Sequence, residues 1–328
     1  MTETPRSGGH ARPAVTVGMP VYNGERFLRQ ALDCWMAQDF TNYRLIISDD
    51  ASSDSTPQIC REYATRDHRV RYLRSDRNQG AVWNFNYLYS LADAEFFAWA
   101  AQDDYWEPTF LRKCVELLRG NPDAAGAHTR IRRITADGTT YAGPFGGYVA
   151  IQDDAAERFR TVLSDWLWCF SHYGVWRTEA IRPTRLYRKV YGPDHVFVAE
   201  AVLYGKVFEV PEVLWAHRTC NPQETNEEYV ERVRRGLEPH SKPGSYRYPF
   251  AALTWEHLRT ALTAPFPFST RCRLVWSVLS RFWIHQAVIA VVRRKALRMF
   301  GEARVERVIR WLRRQGWYRR WRGVPEGL

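Results

Sequence analysis

Two adjacent carboxylates at the end of an apolar run are the residues in this chain best suited to chemistry. Asp103 and Asp104 follow the aromatic-rich stretch 96–101, and Glu107-Pro108 comes shortly after them. The pattern predicts a buried strand that delivers acidic groups to its carboxyl end, where open α/β sheets bind ligands. Carboxylate oxygens suit hard divalent cations, and a cation held there could grip a diphosphate. The alternative is that both acids only cap the next helix.

Three other polar clusters follow predicted strands or precede a predicted helix. They occupy 20–25, 48–56 and 191–195. Successive parallel strands present their carboxyl ends at one edge of a sheet, so groups far apart in the sequence can converge there. The cluster over 48–56 has a second interpretation, in which Asp49 and Asp50 only organise a turn.

The elements that must position these clusters alternate between strand and helix through the first half of the chain. Apolar strands are predicted over 14–19, 44–48, 70–73 and 96–100. Helices are predicted between them, including one over 56–66, and a further helix is predicted over 107–118. The alternation predicts a mostly parallel sheet that is covered by helices on both faces.

The second half of the chain is less regular. Further elements are predicted as a strand over 124–135, a helix over 153–163, a helix over 196–203 and a strand over 207–210. The segment 165–176 is rich in Trp, Phe and His, and it belongs either to the core or to a platform that faces a sugar or a lipid.

The bulk composition fits a soluble globular protein with a real core. The chain has 328 residues, of which 45% are hydrophobic and 25% are charged. Its six cysteines form no Cys-x-x-Cys pair, so the spacing suggests neither a zinc site nor a disulfide framework, and a reducing cytosol is the simplest setting. The N-terminal stretch 1–13 is polar, is expected to be disordered, and lacks the apolar core of a signal peptide.

Positive charge is concentrated at the C-terminal end. Residues 265–328 contain fifteen Arg or Lys and three Glu, whereas the rest of the chain is near neutral. Within this tail, 305–321 places apolar residues and Trp at helical spacing among arginines. Arginine beside Trp is typical of a helix in a lipid headgroup layer, so the tail predicts docking on an anionic membrane surface.

Other interpretations of the tail stay open. A solvated helix could pack its apolar side on the body of the protein. The apolar stretch 274–292 could span a membrane, although Arg281 at its centre disfavours insertion. Nucleic-acid binding is not expected, because no reader motif accompanies the basic residues.

Taken in order and spacing, the motifs resemble those of the family 2 glycosyltransferases over about residues 14–218. The motifs that carry the resemblance lie over 15–25, 45–56, 78–80 and 103–108. The resemblance implies the GT-A fold, a Rossmann-like α/β sheet that binds nucleotide sugars. It also implies an inverting transfer of a sugar from a nucleotide-diphosphate sugar to a hydroxyl of a glycan or lipid-linked glycan.

The resemblance further implies a nucleotide pocket. Pro20, Tyr22 and Glu25 would line the pocket, with Tyr22 packed against the base. Asp50 would accept a hydrogen bond from the base, most simply from the imide N–H of uracil or thymine. The donor would be a UDP-, dTDP- or GDP-linked sugar.

A metal site is implied next to this pocket. Asp103 matches the last acid of the family's Asp-x-Asp motif and would hold Mg²⁺ or Mn²⁺ on the sugar diphosphate, with Asp104 beside it. The first acid of the motif is replaced by Ala101. One carboxylate leaves most of the coordination to phosphate oxygens and water, which suits Mg²⁺. The replacement also supports an alternative, a catalytically degenerate transferase-like binding module in a membrane glycan-assembly complex.

Three residues in the second half would complete the site. Asp194 matches the family's catalytic base, which takes the proton from the acceptor hydroxyl, although it could simply be a helix N-cap. His195 is disfavoured as the base. Arg218 would close on the diphosphate and His217 would approach the metal, unless both have ordinary surface roles.

The expected organisation has four segments. They are a disordered N-terminus (1–13), a GT-A glycosyltransferase domain (14–220), a linker and helix (221–264), and a basic Trp-rich amphipathic helical tail (265–328). The enzyme is expected in the cytoplasm, at the inner face of the plasma membrane, in cell-surface polysaccharide biosynthesis. A nucleotidyltransferase is the rival enzyme class, but its basic phosphate loop has no counterpart in 20–25.

Overall fold

A computed structural model describes residues 2–3, 12–164, 169–219 and 249–284, with four isolated positions at 231, 235, 236 and 239. The basic tail beyond residue 284 and most of the predicted linker lie outside the described residues. The proposed domain boundaries therefore stay predictions.

Ten strands form one sheet. They are β1 (Thr2–Glu3), β2 (Val15–Val21), β3 (Tyr43–Asp49), β4 (Val70–Arg74), β5 (Phe96–Trp99), β6 (Tyr105–Trp106), β7 (Ala124–Ile134), β8 (Thr140–Phe145), β9 (Val175–Arg177) and β10 (Lys206–Arg218). Their order is β1-β4-β3-β2-β5-β9-β7-β10-β6, with β8 paired to β7. The strands β4, β3, β2 and β5 are parallel, as predicted, whereas β9 runs antiparallel to both of its neighbours.

Helices cover both faces of this sheet. They are α1 (Leu28–Met36), α2 (Thr56–Arg66), α3 (Ala81–Ser90), α4 (Phe110–Gly120), α5 (Ala155–Ser164), α6 (Thr178–Ile181), α7 (Pro193–Ala201), α8 (Pro249–Thr263) and α9 (Phe268–Val278). One core joins the sheet to α1, α2 and α4, and a second joins it to α3, α5, α7, α8 and α9. In β5, Phe96 and Ala98 point into the first core, and Phe97 and Trp99 into the second. This alternation follows from the pleat of a strand that is buried on both faces.

Three element boundaries differ from the sequence-based predictions by three residues or more. The helix predicted from residue 107 begins at Phe110, because the preceding residues Tyr105–Trp106 form β6 and pair with Ala216 and Trp215. The strand predicted over 207–210 continues to Arg218 along β7. The helix predicted from residue 196 begins earlier, at Pro193. These changes matter because β6, β10 and α7 carry candidate site residues at their ends.

The C-terminal helices pack on the body of the protein. Leu274 and Val278 of α9 are fully buried in the second core. Arg273 forms a bidentate ion pair with Asp154, with both N···O distances at 2.9 Å. The first part of the predicted tail therefore has its apolar side on the body. Among the described residues, no helix combines the length and the apolar character needed to cross a membrane.

Candidate functional site

The loops that follow β2 and β3 are joined by hydrogen bonds. The backbone N–H of Asn23 donates to Ser52 Oγ at 2.9 Å, and the Asn23 side-chain oxygen accepts the Ser53 N–H at 2.8 Å. Glu25 Oε2 accepts the Ser55 N–H at 3.0 Å. Asn23 has φ +48°, a left-handed conformation that Asn tolerates better than most residues. The two loops therefore form one rigid edge.

Tyr22 presents its ring at this edge, where its side chain is 46% exposed. Its backbone is fixed by Gln102, whose Oε1 accepts the Tyr22 N–H at 2.9 Å and whose Nε2 donates to the Tyr22 carbonyl at 3.2 Å. A Cβ at Gly24 would lie 2.6 Å from Gln102 Oε1, so a larger residue there would displace the end of the Gln102 side chain. Pro20 is half-buried at the end of β2, opposite Ser48.

Asp49 ends β3 and Asp50 follows it, and both buried carboxylates accept hydrogen bonds from other residues of the protein. Asp49 accepts hydrogen bonds from the Ser52 N–H at 2.8 Å and the Tyr72 hydroxyl at 2.7 Å, and it pairs with Arg74. Asp50, 2% exposed, accepts the N–H groups of Gln79 and Gly80, both at 2.8 Å. Asp49 therefore organises the turn, and Asp50 holds the loop that leads into α3.

The Gln79 N–H donates to Oδ1 of the Asp50 carboxylate and the Gly80 N–H donates to Oδ2. The contact to the base stays a prediction.

Asp103 and Asp104 are neighbours in opposite environments. The buried carboxylate of Asp104 accepts Trp215 Nε1 at 2.9 Å and the Arg218 N–H at 2.8 Å, and it lies 3.3 Å from His217 Nδ1. No other described residue donates a hydrogen bond to the half-buried carboxylate of Asp103. Burial and the adjacent charge of Asp104 raise the pKa of Asp103 to about 6.

His217 and Arg218, at the end of β10, have different partners. Burial opposes the charged form of His217, but the carboxylates of Asp104 and Asp103 outweigh burial and raise the pKa of the imidazole. The Arg218 guanidinium donates to the carbonyls of Asp103 (2.8 Å), Thr135 (3.0 Å) and Ala136 (2.8 Å). Arg218 thus fixes the backbone at Asp103, and its predicted contact with the diphosphate stays a prediction.

Asp194 is the second residue of α7, directly after Gly192-Pro193. Gly192 has φ +73°, which favours glycine, and proline at the first helical position is preorganised for the helix. Among the described residues, none donates a hydrogen bond to the Asp194 carboxylate, and His172 Nδ1 lies 3.9 Å away. Burial lowers the pKa of His172, which favours the neutral imidazole beside the acid.

Tyr173 links the two groups of acids. Its ring packs on Trp215, with centroids 5.2 Å apart. Burial raises the pKa of the Tyr173 phenol well above its usual value, and the charges of Asp104, Asp103 and Asp194 raise it further. The ring therefore lies within electrostatic range of the acids after β5 and of the acid on α7.

A model of glycosyl transferase family 2 matches residues 16–166 of the chain. This span contains β2, β3 and β5 and the acids that follow them. The matched segment, just under half of the chain, thus resembles a family 2 glycosyltransferase domain. Asp194, His217 and Arg218 lie beyond the matched segment.

Curated proteins similar to this chain include an uncharacterized protein and a putative glycosyltransferase. The uncharacterized protein Rv1520 of Mycobacterium tuberculosis is 39% identical over 121 residues, which is 36% of this chain and 35% of that protein. The putative glycosyltransferase EpsH of Bacillus subtilis is 36% identical over 107 residues, 33% of this chain and 30% of that protein. The chain thus spans about a third of the length of the curated relatives that it matches.

Solved structures share the fold of this chain at low identity. Residues 1–349 of S. aureus TarS, in complex with UDP-GlcNAc, superpose with a TM-score of 0.61 at 17% identity, over 81% of this chain and 72% of that chain. The mannosyltransferase PcManGT from Pyrobaculum calidifontis, in complex with GDP-Man and Mn²⁺, gives 0.58 at 15% identity, over 96% and 84%. The expected GT-A fold is confirmed.

Several residues of the candidate site were not singled out from the sequence. Gln102 comes directly before the predicted acids in the sequence. Nothing in the sequence indicated that it would contact Tyr22 and Gly24. Cys169, His172 and Tyr173 lie in the aromatic-rich segment 165–176. The sequence predicts that this segment belongs either to the core or to a platform that faces a sugar or a lipid. Only the spatial arrangement shows that this segment reaches the start of α7.

Proposed function

We propose that this chain is an inverting glycosyltransferase that moves a sugar from a nucleotide-diphosphate donor to a hydroxyl of a glycan or lipid-linked glycan. The observation that carries the proposal is a pair of acids whose charges both act on the Tyr173 phenol. Of the three acids with this effect, Asp103 and Asp194 receive no hydrogen bond on their carboxylates from other described residues, and they belong to different elements.

The donor half of the proposal concerns the edge formed by β2, β3 and β5. The exposed ring of Tyr22 offers a stacking surface for a base. Pro20, Glu25 and Asp50 lie at the same edge, near the ends of β2 and β3. Support also comes from the solved structures that share the fold, since one holds UDP-GlcNAc and another GDP-Man. We assign a UDP-, dTDP- or GDP-linked sugar to this edge.

The residues present fit a hard divalent ion such as Mg²⁺ or Mn²⁺. Asp103 offers a carboxylate without competing donors, and His217 is oriented by Asp104 through Nδ1. A carboxylate behind a histidine ligand is a common outer partner in metal sites, so we assign Asp103 and His217 to the ion and Asp104 to support. When bound, the ion neutralises charge on the departing diphosphate.

The acceptor half of the proposal rests on Asp194. A carboxylate without hydrogen-bond donors keeps its lone pairs for the acceptor hydroxyl, whose proton it takes as the oxygen attacks the sugar. The neutral imidazole of His172 leaves that negative charge uncompensated. Asp194 lies on the first turn of α7.

The test of this function is direct transfer. Purified protein with Mn²⁺ or Mg²⁺ is given UDP-, dTDP- and GDP-sugars and a panel of glycan and glycolipid acceptors, and the released nucleoside diphosphate is measured. We expect acceptor-dependent release with one donor class and, by NMR, inversion at the anomeric carbon. Folded protein that binds no donor would instead support the degenerate binding module that Ala101 suggests.

The acceptor is further proposed to lie at the cytoplasmic face of a membrane. Four large apolar side chains of α8 and α9 are more than half exposed, namely Trp255, Leu262, Phe268 and Trp276. Arg259 is also exposed and shares a face of α8 with Trp255 and Leu262. Trp beside basic residues suits an anionic headgroup layer, in line with the composition of the tail.

A further inference from the structure

We propose that Cys169, His172 and Asp194 form a binding site for a soft divalent cation, best matched by Zn²⁺, and that the bound ion blocks sugar transfer. One ligand atom from each of the three residues lies within 4.8 Å of the other two. Cys169 and His172 are buried, and Asp194 is half-buried at the start of α7. The blocking role rests on the proposed function of Asp194, whereas the binding site does not.

The three ligand types fit zinc better than the hard ion assigned to Asp103. A thiolate, an imidazole and a carboxylate supply three positions of a tetrahedral site, with the fourth open to water. A thiolate ligand favours zinc, whereas Mg²⁺ and Mn²⁺ favour sites without sulfur. In a closed tetrahedral site the ligand atoms lie about 3–4 Å apart, so only small side-chain rotations are needed to close this one.

Before metal binds, the structure shows what each ligand must give up, whether a proton or a hydrogen bond. Burial and the charge of Asp194 raise the pKa of the Cys169 thiol, so zinc binding releases its proton to solvent. His172 Nδ1 contacts the Cys169 carbonyl oxygen. Coordination through that nitrogen exchanges this hydrogen bond for a metal bond. Asp194 brings no hydrogen bond that must be broken among the described residues.

The effect on transfer follows from the shared carboxylate. A carboxylate that donates its lone pair to zinc cannot take the proton of an acceptor hydroxyl. The site would therefore couple zinc concentration to activity without touching the donor edge. The sequence hides this site because Asp194 is far from Cys169-x-x-His172 along the chain.

The experiment uses the purified full chain, stripped of metal. Zinc affinity is measured by competition with a chromophoric chelator, and Co²⁺ is added separately to look for the thiolate-to-metal charge-transfer band. We expect one site, a charge-transfer band, and at least about a tenfold loss of affinity in both Cys169→Ser and His172→Gln. Cys272→Ser is the matched control, since Cys272 is an exposed cysteine on α9.

Two outcomes overturn the site. Either the wild type shows no zinc binding and no charge-transfer band, or Cys272→Ser loses both as completely as Cys169→Ser. Because the wild-type spectrum needs no substitution, a variant that fails to fold does not block the test.

The inhibitory role is then measured as a rate ratio with and without zinc, in excess Mg²⁺. We expect inhibition of the wild type, reversal by a zinc-selective chelator, and a weaker effect on Cys169→Ser. Zinc binding with an unchanged rate overturns inhibition alone. Zinc binding by a protein that transfers no sugar to any acceptor overturns the proposed function and leaves the metal site standing.

Discussion

The acids after β3 and the acids around Tyr173 have opposite surroundings. Asp49 and Asp50 are buried and accept hydrogen bonds from neighbouring backbone and side chains. Asp103 and Asp194 receive none from other described residues. The first kind of environment suits an acid that holds loops, and the second suits an acid whose lone pairs bind a ligand or a proton.

The same contrast appears inside one dipeptide. Asp104 is fully buried and tied to β10 by the side chain of Trp215 and the backbone of Arg218, while Asp103 is half-buried beside it. In the sequence the two residues look equivalent, since both are aspartates that follow the same strand. The comparison therefore predicts that equal substitutions at the two positions have different consequences.

The largest effect is expected at Asp194. Asp194→Asn removes the proton acceptor, and loss of a general base costs about 10²–10⁴-fold in kcat. Binding of the nucleoside diphosphate should be unchanged, since the donor edge is separate. Steady-state kinetics measures the loss of kcat, and calorimetry measures binding of the nucleoside diphosphate. Asp153→Asn, an exposed acid beside Lys206, is the control. A kcat within threefold of wild type in Asp194→Asn would remove this residue from the chemistry.

A large effect on stability is expected at Asp104. Asp104→Asn weakens charge-assisted hydrogen bonds from Trp215 and the Arg218 backbone, at a cost of about 2 kcal/mol in the free energy of unfolding. For a chain of this size the melting temperature should fall by about 3 °C. Differential scanning calorimetry of the metal-free protein measures it. Asp103→Asn, the matched variant, should not lower the melting temperature at pH 7, and equal losses would contradict the contrast.

A smaller, pH-dependent effect is expected at Asp103. Its folded-state pKa of about 6 lies above the ordinary value of 3.8, so the folded protein holds this proton more tightly than the unfolded chain does. Ionisation of Asp103 therefore lowers stability as pH rises from about 4 to 6, and the loss is complete above that range. Asp103→Asn cannot ionise. With a chelator present, the melting temperature of Asp103→Asn minus that of the wild type should increase from about pH 4 to 6 and stay constant above that range. A constant difference from pH 4 to 7 would contradict the assignment.

The smallest effect is expected at the exposed face of α8 and α9. Replacing Trp255 and Trp276 by Ser removes two interfacial anchors while leaving the basic tail, so affinity for anionic vesicles should fall by about 3–10-fold. Vesicle co-sedimentation at physiological salt measures it, with neutral vesicles as the control. Unchanged binding would show that this face does not meet the bilayer.

The fold was largely predictable from local pattern. The alternation of apolar strands and amphipathic helices gave the parallel unit β4-β3-β2-β5, because each buried strand is an apolar run that ends in polar residues. The two-residue strand β6 could not be predicted, since it exists only by pairing with Trp215 and Ala216 far along the chain. The same pairing displaced the start of α4.

The site was predictable in residue type but not in environment. Asp103, Asp104 and Asp194 could be singled out as acids at element ends. Whether each carboxylate accepts hydrogen bonds from the protein depends on Trp215, on Arg218 and on the start of α7 after Gly192. Those partners converge through β10 and α7, and no spacing along the chain encodes them.

The most direct test of the account is Mn²⁺-dependent binding of UDP, dTDP and GDP, measured by titration calorimetry on wild type, Asp103→Asn and Asp194→Asn. The account predicts that one nucleotide binds the wild type tightly only with Mn²⁺. Asp103→Asn should lose the Mn²⁺ dependence, and Asp194→Asn should keep it. Folded wild type that binds none of the three, or Asp103→Asn that binds as the wild type does, would contradict it.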